Sequence, residues 1–267
     1  MALLVHRRKL VGKHGIGHSD GALTVPLTTQ VANHLSRKGN FTENDLILVL
    51  GGNNDGFVQF EAFATAAAQI QADAAAGNIT PDQANQLLFA AQQEAMAGMK
   101  TAALELANTV VTQILGKGGK YVIVMTILDP IYTPFGASLP AEVQPVLSGL
   151  SQNFNLWLRD GLTGQPVQLI DTESLFAPMR ADPAKYGIAN NTIPACDAAK
   201  IAAITGGAIT DGSSLFCNSD PAVPWYGIRD GADVNTWLFA DGVHPTTKGH
   251  KLLSDAILGQ LKAFGWI

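Results

Sequence analysis

The chain has 267 residues, of which 47% are apolar and 15% charged. That composition can fill a hydrophobic core, so wholesale disorder is excluded. Seventeen basic against 22 acidic side chains leave a net charge of −5, and the only basic block is His6-Arg7-Arg8-Lys9, which argues against nucleic acid as a partner. No apolar stretch reaches the length of a membrane span. The opening residues do not read as a signal peptide, because the apolar run Ala2 to Val5 is brief and the basic residues follow it. As written, the chain is expected to remain cytoplasmic.

Residues 1–22 carry no clean periodicity and are expected to be irregular. A helix is predicted to start near Pro26, with Val31 and Leu35 on one face. Leu46 to Leu50 is short, apolar on both faces and closed by Gly51-Gly52, which predicts a buried parallel strand. An Ala-rich helix is predicted from about Gln59 to Ala76. A second begins at Thr80-Pro81-Asp82-Gln83, where Thr80 caps, Pro81 takes the first turn and Gln83 completes a capping box. Its apolar residues recur at helical spacing from Leu87 to Ile114. The Ala-rich segment 61–106 reads as two packed helices in preference to a lid.

Tyr121 to Ile127 is the next predicted strand, followed by a helix over Pro140 to Leu162 and a strand over Val167 to Ile170. Residues 172–240 read as short helices and long loops. Thr246 to Phe264 is a terminal helix. Alternating strands and helices predict an α/β domain over residues 23–267 with a parallel sheet. Three strands are few, since an open sheet usually has about five.

Cys196 and Cys217 stand alone, with no histidine near enough to form a zinc set. One disulfide between them is favoured over two free thiols. No metal site is expected.

Two short motifs can carry chemistry. Gly51-Gly52-Asn53-Asn54-Asp55 follows the first predicted strand, and open α/β sheets bind ligands beyond the carboxyl ends of their strands. An Asn there can aim an N–H at a developing oxyanion; alone, the five residues read better as a turn, with Asp55 capping the next helix. Asp241-Gly242-Val243-His244-Pro245 precedes the last helix. Asp and His three apart can pair, so that the carboxylate orients the imidazole as a general base. Ser19, between His18 and Asp20, has a base and glycines nearby, but reads more simply as a loop serine.

Taken together, Gly52-Asn53-Asn54-Asp55 and Asp241 to Pro245 resemble the motifs of the GDSL or SGNH hydrolase family. Pro26-Leu27-Thr28-Thr29-Gln30-Val31 and Phe239 to Thr247 further resemble its secreted bacterial esterase and lipase branch, and the resemblance covers roughly residues 16–267. It implies a three-layer α/β/α sandwich with a flavodoxin-like parallel sheet, hydrolysis of carboxylic esters through an acyl-serine, and no cofactor. It implies a secreted or cell-surface setting, against the cytoplasmic reading above. His244 would be the base, Asp241 its orienting partner, and Asn54 with Gly52 would serve the oxyanion and substrate. Trp237, near the Asp241–His244 turn, would touch an acyl chain.

The chain departs from the family in containing no Gly-Asp-Ser, the block that bears the nucleophile. It is therefore expected to lack the family's first strands, with Ser19 as the substitute nucleophile and Asp55, beside Asn54, as another candidate that reads better as a helix cap. The alternative is an N-terminally truncated remnant, weak or inactive, that folds and binds acyl ligands. An Asn and a His–Asp pair without a serine still support slow attack by water. Loss of a central strand would leave strand 46–50 with an open edge. That edge is expected to pair either with a second copy, giving a homodimer, or with Ala2 to His6. Partners are otherwise limited to a small ester or lipid substrate.

Overall fold

A computed structural model describes residues 25–267 and the strand formed by residues 2–5. Elements follow in the order β1 (Ala2–Val5), α1 (Leu27–Lys38), β2 (Leu46–Leu50), α2 (Asn53–Ala75), α3 (Pro81–Thr109), β3 (Tyr121–Met125), α4 (Pro134–Ser138), α5 (Gln144–Gly161), β4 (Gln168–Ile170), α6 (Thr172–Ala181), α7 (Ala198–Ile204) and α8 (Thr247–Ala263). Together they divide between two compact units, one formed by residues 2–5, 25–128 and 145–171, the other by 129–144 with 172–267.

The first unit holds a four-stranded sheet in the order β1-β2-β3-β4. All three pairings are parallel, with Ala2 opposite Ile47, Leu46 opposite Tyr121, and Ile123 opposite Gln168. Neighbouring strands are consecutive in the chain, so every connection is a crossover, and the right-handed rule carries the crossover helices to one face. Contacts agree: Gly149 and Gly161 of α5 lie against Met96 and against Leu104 and Ala107 of α3. The absence of side chains at these two glycines lets the helices approach.

Strands β2 and β3 are central, and their runs Ile47 to Val49 and Val122 to Met125 are buried on both faces. This is why they read as continuous apolar runs without alternation. Met99, Leu106, Leu147, Leu150, Phe154 and Leu158 complete this core from α3 and α5. The α/β class and the parallel sheet are as predicted.

Several element bounds shift. Helix α2 starts at Asn53, six residues before the predicted Gln59, because Gly52 at φ 111° makes the turn by itself and leaves the asparagines free to be helical. Asp55 consequently sits inside the first turn and not at the cap. A carboxylate there still complements the positive end of the helix dipole. Helix α3 begins as read, with Thr80 Oγ1 accepting from the Gln83 N–H at 3.2 Å and the Gln83 side chain accepting from the Thr80 N–H at 2.8 Å. It ends in a wider π-type turn, Val110–Ile114.

Ala2–Val5 is a strand within the segment expected to be irregular. It pairs with β2 along Ala2 to Val5, so β2 has no open edge on that side. The surrogate-strand alternative is thus the one seen, and the unpaired edge that motivated a homodimer is occupied by the chain itself. The physical reason is that Ala2 to Val5 is apolar and can satisfy the backbone groups of β2 without a partner.

Among the described residues, the second unit has isolated β-bridges but no extended strand, and local turns, apolar clusters and a disulfide hold it. Met179, Ile188, Leu238, Phe239 and Leu252 form one cluster, with Phe176 and Tyr186 against it. Ala195, Cys196 and Ile228 form the other. Among the described residues, no helix is long and apolar enough to cross a membrane.

Candidate active site

The two motifs lie in different units. In the first unit, the carboxyl ends of the parallel strands share one edge of the sheet. Gly51-Gly52 leaves β2 at that edge and leads directly into α2. A Cβ on Gly52 would come within 2.3 Å of Phe154 Cζ, and Phe154 is fully buried. Glycine is required twice, by the positive φ and by the ring. This tight turn puts Asn54 in the first turn of α2, half-buried, with Asp55 buried behind it.

At the same edge, Asn155 of α5 grips the chain just beyond β3. Its Oδ1 accepts from the Ile127 N–H at 2.8 Å, and its Nδ2 donates to the Ile127 carbonyl at 2.9 Å. Beside it Asp171, just after β4, pairs with Arg159 at 3.2 Å. The edge is therefore pinned by side chains, which suits a surface that must hold shape.

In the second unit, Asp241 and His244 form a pair on one turn. Asp241 Oδ2 lies 2.8 Å from His244 Nδ1. Oδ1 accepts the N–H groups of Val243 at 2.9 Å and His244 at 2.7 Å. Asp is the residue that folds its own chain in this way. A further bond, Ala240 N–H to the His244 carbonyl at 2.8 Å, closes the turn. Pro245 then ends it, and Thr246 caps α8 by accepting from the Lys248 and Gly249 N–H groups. A Cβ on Gly249 would meet Pro245 Cβ at 2.5 Å, so glycine allows the helix to start this close to the turn.

The two side chains differ in exposure: 7% for Asp241 and 53% for His244. Burial alone would raise the Asp241 pKa. The hydrogen bonds from the His244 ring, the Ser214 side chain and the Val243 N–H outweigh it and hold the carboxyl well below the usual carboxylate range. The carboxylate is thus ionised at any ordinary pH. A carboxylate at this distance can hold a proton on Nδ1 and support a positive imidazole, an arrangement in which Nε2 would be the nitrogen that exchanges protons.

Ser214 contributes its backbone N–H to Asp241 Oδ2 at 2.8 Å, a contact that sequence reasoning missed. The only available signal was its place three residues before Cys217. Asn155 was also missed, since one Asn on an amphipathic helix carries no pattern. Cys196 and Cys217 are joined by a disulfide. The Trp237 side chain packs on the Ala195–Cys196–Ile228 cluster, which gives it a structural use. Ser19 lies outside the described residues, as do His18 and Asp20. Among the described residues, no group of three or more His, Cys, Asp or Glu side chains could hold a metal ion.

A family model described as GDSL-like Lipase/Acylhydrolase matches residues 18–257, most of the chain. No curated protein sequence matches it.

Proposed function

The chain belongs to the GDSL-like lipase/acylhydrolase family, whose general chemistry is ester hydrolysis, and on that premise we propose that it cleaves carboxylic esters with His244 as base, Asp241 as its orienting partner and Asn54 as oxyanion donor. The observation that carries the proposal is the 2.8 Å contact between a buried, ionised Asp241 and Nδ1 of a half-exposed His244. This is the arrangement that an imidazole needs to accept a proton in one step and return it in the next.

In the proposed cycle, a serine hydroxyl attacks the ester carbonyl while His244 Nε2 takes its proton. The carbonyl oxygen gains negative charge, which Asn54 stabilises with backbone donors near Gly52. Collapse breaks the bond to the alcohol, and His244 returns the proton to the departing oxygen. Water then attacks the acyl-serine by the same route, releasing the acid. Ser19 is the proposed nucleophile, and it lies inside the matched span. The substrate is a small ester or a lipid.

The missing Gly-Asp-Ser block favours one rival: a folded protein of this lineage that binds acyl ligands without turning them over. Labelling with a fluorophosphonate, followed by peptide mass spectrometry, separates the two. An adduct on Ser19 that disappears in His244→Ala supports the serine mechanism. No adduct on any serine, with ester hydrolysis no faster than His244→Ala, supports the rival.

A further inference from the structure

Asp241 is held by more than its own turn. Val243 and His244 supply donors from within residues 241–244, but the Ser214 N–H comes from 27 residues away. It reaches Oδ2, the oxygen closest to His244 Nδ1. Without Ser214, Oδ2 keeps only the mobile imidazole as a partner, while the backbone donors of Val243 and His244, and Nδ1 again at 3.0 Å, fall on Oδ1.

The segment carrying Ser214 is anchored at its far end, where Cys217 packs on the Ala195–Cys196–Ile228 cluster and Asn218 bonds Trp225 and Gly227. It is a single 3-10 turn, Ser214–Phe216, with Leu215 and Phe216 exposed. The Phe216 N–H bonds the Ser213 carbonyl and the Cys217 N–H bonds the Ser214 carbonyl, each at 3.2 Å, so Cys217 and Ser214 move as one piece. Cys217 is tied by the disulfide to Cys196. Cys196 is buried, and its N–H bonds the carbonyl of Ala240, the residue before Asp241, at 2.8 Å. The path from Asp241 through Ala240, Cys196, Cys217 and Ser214 returns to the Asp241 carboxylate. It is a closed ring with one covalent cross-link.

We propose that the Ser214 backbone N–H is a positioning group for the acid–base pair, held on Asp241 Oδ2 by the Cys196–Cys217 disulfide. The inference rests on the reading of Asp241 and His244 as that pair. Opening the bridge frees the 214–217 turn, Asp241 loses its outside donor, and the imidazole loses its fixed tautomer. A bridge with a purely global stabilising role would lower the melting temperature and leave the tautomer of folded protein unchanged.

Ser214→Pro removes this N–H together with the Ser214 hydroxyl while keeping the disulfide, and Ser214→Ala, which removes the hydroxyl alone and should leave the tautomer as in wild type, separates the two. Proline suits the first position of a helical turn. The preceding Ser213, at φ −49° and ψ 128°, already has the extended backbone that proline demands of its neighbour. Imidazole nitrogen NMR on 15N-labelled full-length protein is the primary readout, taken on the wild type, on wild type reduced with dithiothreitol, and on Ser214→Pro. In the oxidised wild type, neutral His244 is expected almost wholly as the Nδ1–H tautomer. In the other two samples a clear Nε2–H population is expected. If the chain turns over esters, kcat falls about tenfold with KM unchanged, the effect of one hydrogen bond to a charged group.

An unchanged His244 tautomer in folded Ser214→Pro or in folded reduced protein would overturn the proposal. Unfolding of both samples would also overturn it, by giving the bridge a global role. The tautomer shift can be read without any esterase activity. A shift with no turnover in the wild type would leave the positioning role standing and defeat the esterase reading.

Discussion

Replacing Gly52 by alanine tests the turn that launches Asn54. Two costs add. Alanine at φ 111° is strained by about 1–2 kcal/mol. Its Cβ would sit 2.3 to 2.6 Å from three ring carbons of Phe154. That ring is fully buried, so relief requires the ring or α5 to move, a further ~1–3 kcal/mol. The expected loss is therefore ~2–5 kcal/mol, a large part of the stability of an ordinary domain. Urea unfolding at equilibrium, followed by tryptophan fluorescence and by circular dichroism, measures it. Gly52→Ala/Phe154→Leu divides the sum: it should restore the overlap part and keep the backbone part, so the two changes couple favourably. A Gly52→Ala loss below ~1 kcal/mol, or strictly additive changes, would refute this account of the turn.

Three further outcomes are expected. Asp241→Asn should lower ester turnover by about 10³–10⁴-fold, since an amide cannot hold the proton on His244 Nδ1; steady-state kinetics on a short-chain ester would show it. Asp241 also makes stability depend on pH. Its folded pKa lies below the unfolded value of 3.8, so its contribution is complete above about pH 5 and is lost as pH falls through 3.8 and lower. Melting curves of the wild type and Asp241→Asn should therefore be well separated at neutral pH and converge in acid; a gap that is constant with pH would contradict the hydrogen-bond account. Asn155→Leu leaves the Ile127 N–H and carbonyl without their partner, and should destabilise by about 2 kcal/mol while speeding hydrogen exchange at the Ile127 amide.

The elements legible in the sequence were those whose cause is local. Strand β2 coincides with its apolar run Leu46 to Leu50, because a strand buried on both faces cannot alternate. The start of α3 followed from Thr80, Pro81 and Gln83, which form a complete cap among themselves. The Asp241–His244 pair was legible for the same reason: three residues of spacing and an Asp that folds its own turn suffice.

Other features were settled only by tertiary contacts. Part of the need for glycine at 52, the close approach of the ring, comes from a phenylalanine about a hundred residues later, and no turn rule reveals that. Whether the apolar run Ala2 to Val5 would pair depended on finding the edge of β2. Asn155 acts on both backbone groups of Ile127 and Ser214 donates its own N–H to Asp241, at sequence separations of 28 and 27, where neither periodicity nor motif leaves a trace. The sequence by itself determined the parallel α/β class, the starts of α3 and α8 and the Asp241–His244 turn, because each follows from the conformational preferences of adjacent residues. Tertiary structure decided which carboxylate oxygen is held and by what, because a buried charge takes its donors from wherever the packed chain brings an N–H within 3 Å.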